Sequence, residues 1–312
     1  MKENFKIVID PSKYDGIAGD KLNYFADLVE IIATISKAEV TVGEILDRFY
    51  ECKLLKKGEA QINDSNEAWV KEIFQLIKLR SDTYNEKYPF YFDFSKQFIC
   101  LKSELSNCNK LYIQLLLSAN LPFFSDFQEI LSTDFENLSY YSLLGYFNKS
   151  ACIKKFGKRS EYTGRNTKDK IIQLAADINI EFDPDSIEQI NKYNTNEKGL
   201  DLIAWFPFGD RWGNLLVILG QCTCINENWH LKRQDTVPYE HFFIFKGIKP
   251  VHALFIPHSL TKEKLFFNAI NISDTLLFER KRLIDYFLEG NYGQLESNNL
   301  IELIIDYKED IA

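Results

Sequence analysis

At 312 residues, with 46% apolar and 26% charged side chains, the chain is long enough to bury a core without disulfide or metal staples, and its length suggests about two domains. A net charge of -8, from 37 basic and 45 acidic residues, argues against a generally adhesive nucleic-acid binder of the histone kind. No apolar run approaches the roughly 18 residues that span a bilayer, the N-terminal MKENFKIVIDPSKYDG has no signal-peptide core, and the six cysteines form no Cys-x-x-Cys knuckle, so a reduced cytoplasmic protein is expected.

Taken in chain order, residues 1–125 read as mainly helical. Leu22, Phe25, Leu28, Val29, Ile32 and Ile35 recur at the 3.6-residue period and predict a helix over 20–38. The same pattern predicts helices over 40–54, 66–79 and 109–118, with Phe98–Leu101 as a short strand between the last two. No Gly-rich phosphate loop, His pair or Gly-x-Ser-x-Gly occurs in this half, which reads as an accessory domain.

From residue 126 the texture changes. A helix is expected over Thr133–Phe147, where Thr133 and Glu136 have the spacing of a capping box. A basic stretch follows: Lys149, Lys154, Lys155, Lys158, Arg159, Arg165, Lys168 and Lys170 against Glu161 and Asp169, either a solvated loop or a segment that contacts phosphates. A helix over 167–178 comes next, then strands over 200–206 and 215–224 joined as a hairpin through Gly209–Asn214. A strand over 251–256 and helices over 279–288 and 298–307 complete a mixed α/β order.

Two polar residues stand out in this half. Asp201 heads the apolar strand segment Leu202-Ile203-Ala204-Trp205, where a carboxylate needs a partner such as a divalent cation. Gln221 closes the apolar run Leu215–Gly220, where its amide must also be satisfied. If the two strands pair, Asp201 and Gln221 converge.

Phe135-Glu136, Asp201 in KGLDLIAW, and Gln221-Cys222-Thr223 in ILGQCTC together resemble the catalytic core of the PD-(D/E)XK restriction-endonuclease-like superfamily, in its Mrr-like Gln variant. The wider frame, with FGDRWGN and NWHLK, is similar to bacterial endonuclease-like proteins associated with defence against phage. The resemblance implies a restriction-endonuclease-like α/β domain over 126–312, a mixed sheet flanked by helices. It implies a Mg²⁺-dependent DNA endonuclease, with Mn²⁺ as a substitute, acting in anti-phage defence. Glu136, Asp201 and Gln221 would hold the metal.

The superfamily's lysine is replaced by Thr223, and Lys232, nine positions on, is the expected substitute as the fourth catalytic residue. Lys154, Lys155, Lys158, Arg159, Arg165, Arg280 and Arg282 are the expected contacts to the nucleic-acid backbone. Two alternatives stay open: a catalytically inactive subunit that keeps the fold and binds nucleic acid or protein, and a nuclease directed at RNA. A homodimer or a partner protein of a defence system is expected, and no membrane.

Overall fold

The computed structural model describes residues 21–36, 38–148, 150–157, 160–164, 166–190, 199–210, 212–261 and 274–306. The chain divides into two compact units. The first comprises 1–131, 259–263 and 292–312; the second comprises 132–258 and 264–291. The first break along the chain falls after residue 131, and residues 292–312 are grouped with the first unit.

In the first unit, α1 (Lys21–Ser36), α2 (Val42–Glu51), α3 (Ala60–Tyr84) and α4 (Asn107–Ser118) surround a small sheet. The sheet consists of β1 (Val40–Thr41), β2 (Phe90–Asp93) and β3 (Phe98–Leu101), in the antiparallel order β1-β3-β2. Thr41 caps α2 by accepting the Glu44 amide at 3.2 Å, and Ser106 and Asn109 cap α4 reciprocally. A buried polar cluster lies between the helices. Arg80 of α3 donates to Asp27 of α1 at 2.7 Å and pairs with Glu30 at 3.0 Å, while the hydroxyls of Tyr88 and Tyr112 donate to Glu30. Burial lowers the pKa of the Arg80 guanidinium, but Glu30 and Asp27, with Tyr112 and Tyr88, together hold it well above its usual value.

The second unit holds a five-stranded mixed sheet. After α5 (Gln128–Tyr146) come β4 (Cys152–Lys155), α6 (Thr167–Asp177), α7 (Pro184–Glu188), β5 (Leu202–Trp205) and β6 (Val217–Cys222). A 3₁₀ helix over Trp229–Thr236 and α8 (Tyr239–Phe242) then lead to β7 (Val251–Phe255). The unit ends with β8 (Thr275–Phe278) and α9 (Arg280–Tyr286), and α10 (Asn298–Asp306) follows in the first unit. The sheet order is β4-β5-β6-β7-β8. The first three strands are antiparallel, and β7 and β8 run parallel to β6. The fold class is therefore α/β, a mixed sheet flanked by helices and preceded by a mainly helical unit.

Period-two alternation builds the core. Ile203, Trp205, Val217 and Leu219 point to one face of the sheet and pack with Ile171, Leu174 and Ala175 of α6, Ile187 of α7, and Tyr239 and Phe242 of α8. On the other face α5 meets α9: the Ser142 hydroxyl donates to the Leu283 carbonyl at 2.8 Å, and a Cβ on Gly145 would lie 1.9 Å from the Tyr286 carbonyl oxygen.

The basic stretch is partly strand, because Lys154 and Lys155 sit in β4 at the edge of the sheet beside Cys152, whose side chain is exposed. Helix α5 starts at Gln128, five residues before the position expected, so Thr133 and Glu136 both lie inside it and form no capping box. Among the described residues, no helix is long and apolar enough to cross a membrane.

Candidate active site

Asp201 is fixed by main chain on both sides. Its carbonyl accepts the amides of Phe156 at 2.7 Å and Gly157 at 3.3 Å, just past β4, and its own amide donates to Gly220 at 2.9 Å. One carboxylate oxygen, Oδ2, accepts the Cys222 amide at 2.6 Å. This charge-assisted bond orients the carboxylate, with no side-chain rotamer to freeze on the donor. The other oxygen, Oδ1, faces Gly157, 3.2 Å from the position a Cβ would take there.

Glu136 arrives at the same point from α5. Its Oε2 lies 3.5 Å from that Gly157 Cβ position, so two carboxylates, one from α5 and one from the residue just before β5, converge over a residue with no side chain. Nearby thiols register the same field. Burial first, then the Asp201 and Glu136 charges, push the Cys222 thiol well above its ordinary pKa, and Cys224 is raised by burial and the same two carboxylates.

Gln221 follows Gly220 on β6. Leu202 pairs with Gly220, so Asp201 and Gln221 stand one step further along the same ladder. Gln221 is 9% exposed; its Nε2 donates to the Cys222 carbonyl at 2.9 Å, and its Oε1 is buried without a hydrogen-bond partner. An orphaned buried acceptor costs about 1–3 kcal/mol. That oxygen lies 3.0 Å from the Cβ position of Gly199, a residue at φ +80°, and the Asp235 Cγ lies 3.1 Å from the same position.

Lys232, on the 3₁₀ helix, pairs with Asp235 at 3.0 Å. His252 of β7 ties this helix to the sheet, since its Nδ1 meets the Thr236 hydroxyl at 2.7 Å and its Nε2 meets Glu240 at 2.7 Å. Thr223 is buried, and its hydroxyl accepts the Ile225 amide at 3.3 Å.

Glu136 and Asp201 thus come together, and Lys232 reaches the Gln221 side through Asp235. The donors suit a hard cation. Mg²⁺ is commonly held by one or two carboxylates with water completing its shell, whereas the unpartnered Gln221 Oε1 faces Gly199. Among the described residues, no three or more His, Cys, Asp or Glu side chains group closely enough to hold a metal by themselves. The residues that could contribute oxygen ligands are Glu136, Asp201 and Gln221.

The expected nucleic-acid contacts fare unevenly. Lys154 pairs with Asp177 at 2.6 Å and lies over the Tyr162 ring, and Lys155 donates to Asn137 Oδ1 at 2.6 Å over the Tyr140 ring. Lys168 pairs with Glu188. Lys158, Arg159 and Arg165, with Lys149, lie outside the described residues. Arg280 corrects its expectation. It is 0% exposed, with Nε donating to the Pro257 carbonyl at 2.8 Å, and so it is a core residue that presents no charge to a ligand. It opens the inward stripe of α9, with Leu283 and Ile284. Arg282 is exposed, and its Nη1 donates to the Leu277 carbonyl at 2.6 Å.

Sequence reasoning passed over Gly157, Gly199 and Asp235. The available signal was Asp235 three residues after Lys232, the spacing of an ion pair on one helical face.

No protein-family model and no curated protein matches this chain. Among solved structures, the MspJI restriction endonuclease in complex with a 27-mer oligonucleotide aligns over 69% of this chain at 13% identity, with a TM-score of 0.29. The aligned part spans 41% of that protein's length.

Proposed function

We propose that the second unit is a metal-dependent nuclease of the restriction-endonuclease-like type, hydrolysing phosphodiester bonds in DNA. The observation that carries this reading is the convergence of Glu136 and Asp201 over Gly157. The strand pairing supports it, because the antiparallel ladder of β5 and β6 sets Asp201 and Gln221 side by side at one end of the two strands.

In this reading Glu136, Asp201 and Gln221 hold Mg²⁺, or Mn²⁺ in its place. When bound, the cation acidifies a water and polarises the scissile phosphate. Asp201 is kept in its ligating orientation by the Cys222 amide, so no reorganisation is needed on binding. Lys232 offers its ammonium to the phosphate oxygens as negative charge builds on them. Water oxygen bonds to phosphorus, the P–O bond to the leaving sugar breaks, and the water's proton passes to solvent. Lys154 and Lys155, with the basic residues near them in sequence, would grip the backbone. A role in anti-phage defence rests on the sequence resemblance, and double-strand cleavage from one such centre per chain calls for a homodimer.

One observation favours a second reading, a subunit that binds nucleic acid or protein without cutting. The Thr223 hydroxyl serves the Ile225 amide at the position where the superfamily carries its lysine. Plasmid, single-stranded DNA and matched RNA incubated with Mg²⁺, Mn²⁺ or EDTA decide between the two. Metal-dependent cutting is expected, reduced at least a hundredfold in Asp201→Asn and in Lys232→Ala. Nucleic-acid binding without cutting under any metal would establish the second reading, and cutting confined to RNA would reassign the substrate.

A further inference from the structure

A half-buried ammonium needs a partner, and Lys155, at the end of β4, directs its own onto helix α5. Its Nζ donates to Asn137 Oδ1 at 2.6 Å and lies 5.1 Å from the centre of the Tyr140 ring. Both residues are neighbours of Glu136: Asn137 follows it in sequence, and Tyr140 lies four residues on, on the same face of the helix. Asn137 is itself buried and fixed, with its Nδ2 donating to Asp134 Oδ1 at 3.1 Å. The Lys155 main chain is held as well. Its amide donates to Glu161 Oε1 at 3.2 Å, and its carbonyl accepts the Glu161 amide at 3.1 Å. The next two residues, Phe156 and Gly157, give their amides to the Asp201 carbonyl. Lys155 therefore reaches the helix of Glu136 through its side chain, and Asp201 through the main chain that follows it, with Gly157 between the two carboxylates.

We propose that Lys155 is a positioning residue, which acts through Asn137 to hold Glu136 beside Asp201 over Gly157. This deepens the nuclease reading and rests on it, and it gives Lys155 a task beyond a hold on the nucleic-acid backbone. A carboxylate delivered from a helix serves a metal only if that helix is fixed in rotation and height against the segment that supplies the other ligand. Further along α5 the Ser142 bond to α9 does this, and next to Glu136 the Lys155–Asn137 bond does it. An ammonium suits the task because it donates to an amide oxygen and lies over an aromatic ring at the same time.

Metal binding without nucleic acid separates this task from the others a lysine can have. Removing a positioning residue weakens the site, removing a cation that merely lies near two carboxylates tightens it, and removing a phosphate contact leaves it unchanged. Titration of the full-length protein with Mn²⁺, following free Mn²⁺ by its electron paramagnetic resonance signal, reads the difference. Lys155→Met, which keeps side-chain length, is expected to weaken Mn²⁺ binding about tenfold or more at an unchanged melting temperature. Asn137→Ala is expected to produce a similar loss, and Lys155→Met in that background to add less than about twofold. Lys155→Arg keeps a donor for Asn137 and is expected to restore most of the affinity. If Lys155→Met binds Mn²⁺ as tightly as wild type, or more tightly, while Asp201→Asn binds weakly, this proposal falls and the nuclease reading stands. Losses that simply add in the double variant overturn it as well, and so does a lowered melting temperature that Lys155→Arg leaves uncorrected, which assigns Lys155 to packing. If wild type binds no Mn²⁺ at millimolar concentration, both readings fall together.

Discussion

Gly199 and Gly157 are the residues on which the candidate site closes, and each fails differently when given a side chain. At Gly199 an alanine meets a left-handed backbone and an Asp235 Cβ only 2.3 Å away. Gly199→Ala is expected to cost about 1–3 kcal/mol from the backbone conformation alone, read as a lowered urea midpoint, and to move the 3₁₀ helix that carries Lys232. Gly157→Ala is milder, since its Cβ would lie 3.2 Å from Asp201 Oδ1 and 3.5 Å from Glu136 Oε2. It is expected to weaken Mn²⁺ binding with a melting temperature close to wild type, because it crowds the carboxylates and leaves the core untouched. A melting point that falls while Mn²⁺ affinity holds would contradict this. Asp201 and Gln221 were legible because a charge and an amide on apolar strands are conspicuous in one dimension. Gly157, Gly199 and Asp235 were not, since their meaning arises only where separate segments cross. Arg280 misled for the opposite reason: Arg280-Lys281-Arg282 has the composition of a solvated patch, but helical geometry turns its first member inward.

At the level of elements, the buried cluster joining α1, α3 and α4 is the clearest energetic commitment. Arg80 and Glu30 are both 0% exposed and Asp27 is 5% exposed, so two carboxylates depend on one guanidinium and on the hydroxyls around it. Arg80→Met strands both charges and is expected to cost about 3–5 kcal/mol, measured by chemical denaturation. Tyr88 adds a pH signature. Burial, then the Glu30 charge, raises its phenol well above the ordinary value of 10.0. The unfolded chain therefore releases this proton first as pH rises, so the associated stability is intact below about pH 10 and lost above it. Tyr88→Phe removes this titration. The stability gap between wild type and variant should narrow from pH 9 to pH 11, and a constant gap would refute the assignment. Most helices were legible from their period, whereas β4 was not. Two lysines in four residues disguise it, and Lys154 fits an edge strand because its ammonium lies over the Tyr162 ring while it pairs with Asp177.

For the whole molecule, the chain order of the units is interrupted: residues 292–312 return to the unit built from the N-terminal half. A reading that runs along the chain detects the apolar period of α10 but not the destination of its face, which lies against α1 and α4. Leu300, Ile301 and Ile304 are buried there, so a chain ending at Asn291 is expected to lose about 5–8 kcal/mol from the first unit. Differential scanning calorimetry should show that loss as an earlier transition, with the second unit's transition kept; one unshifted transition would refute it. The edge strand β4 has a practical consequence as well. Of the six thiols only Cys152 is exposed, and it projects from a strand that is paired on one side alone. The native chain therefore carries a ready attachment point for a maleimide fluorophore or a spin label, with no engineered residue. The same thiol makes handling in air hazardous, because two copies meeting at that edge can become covalently cross-linked and be mistaken for an assembled pair.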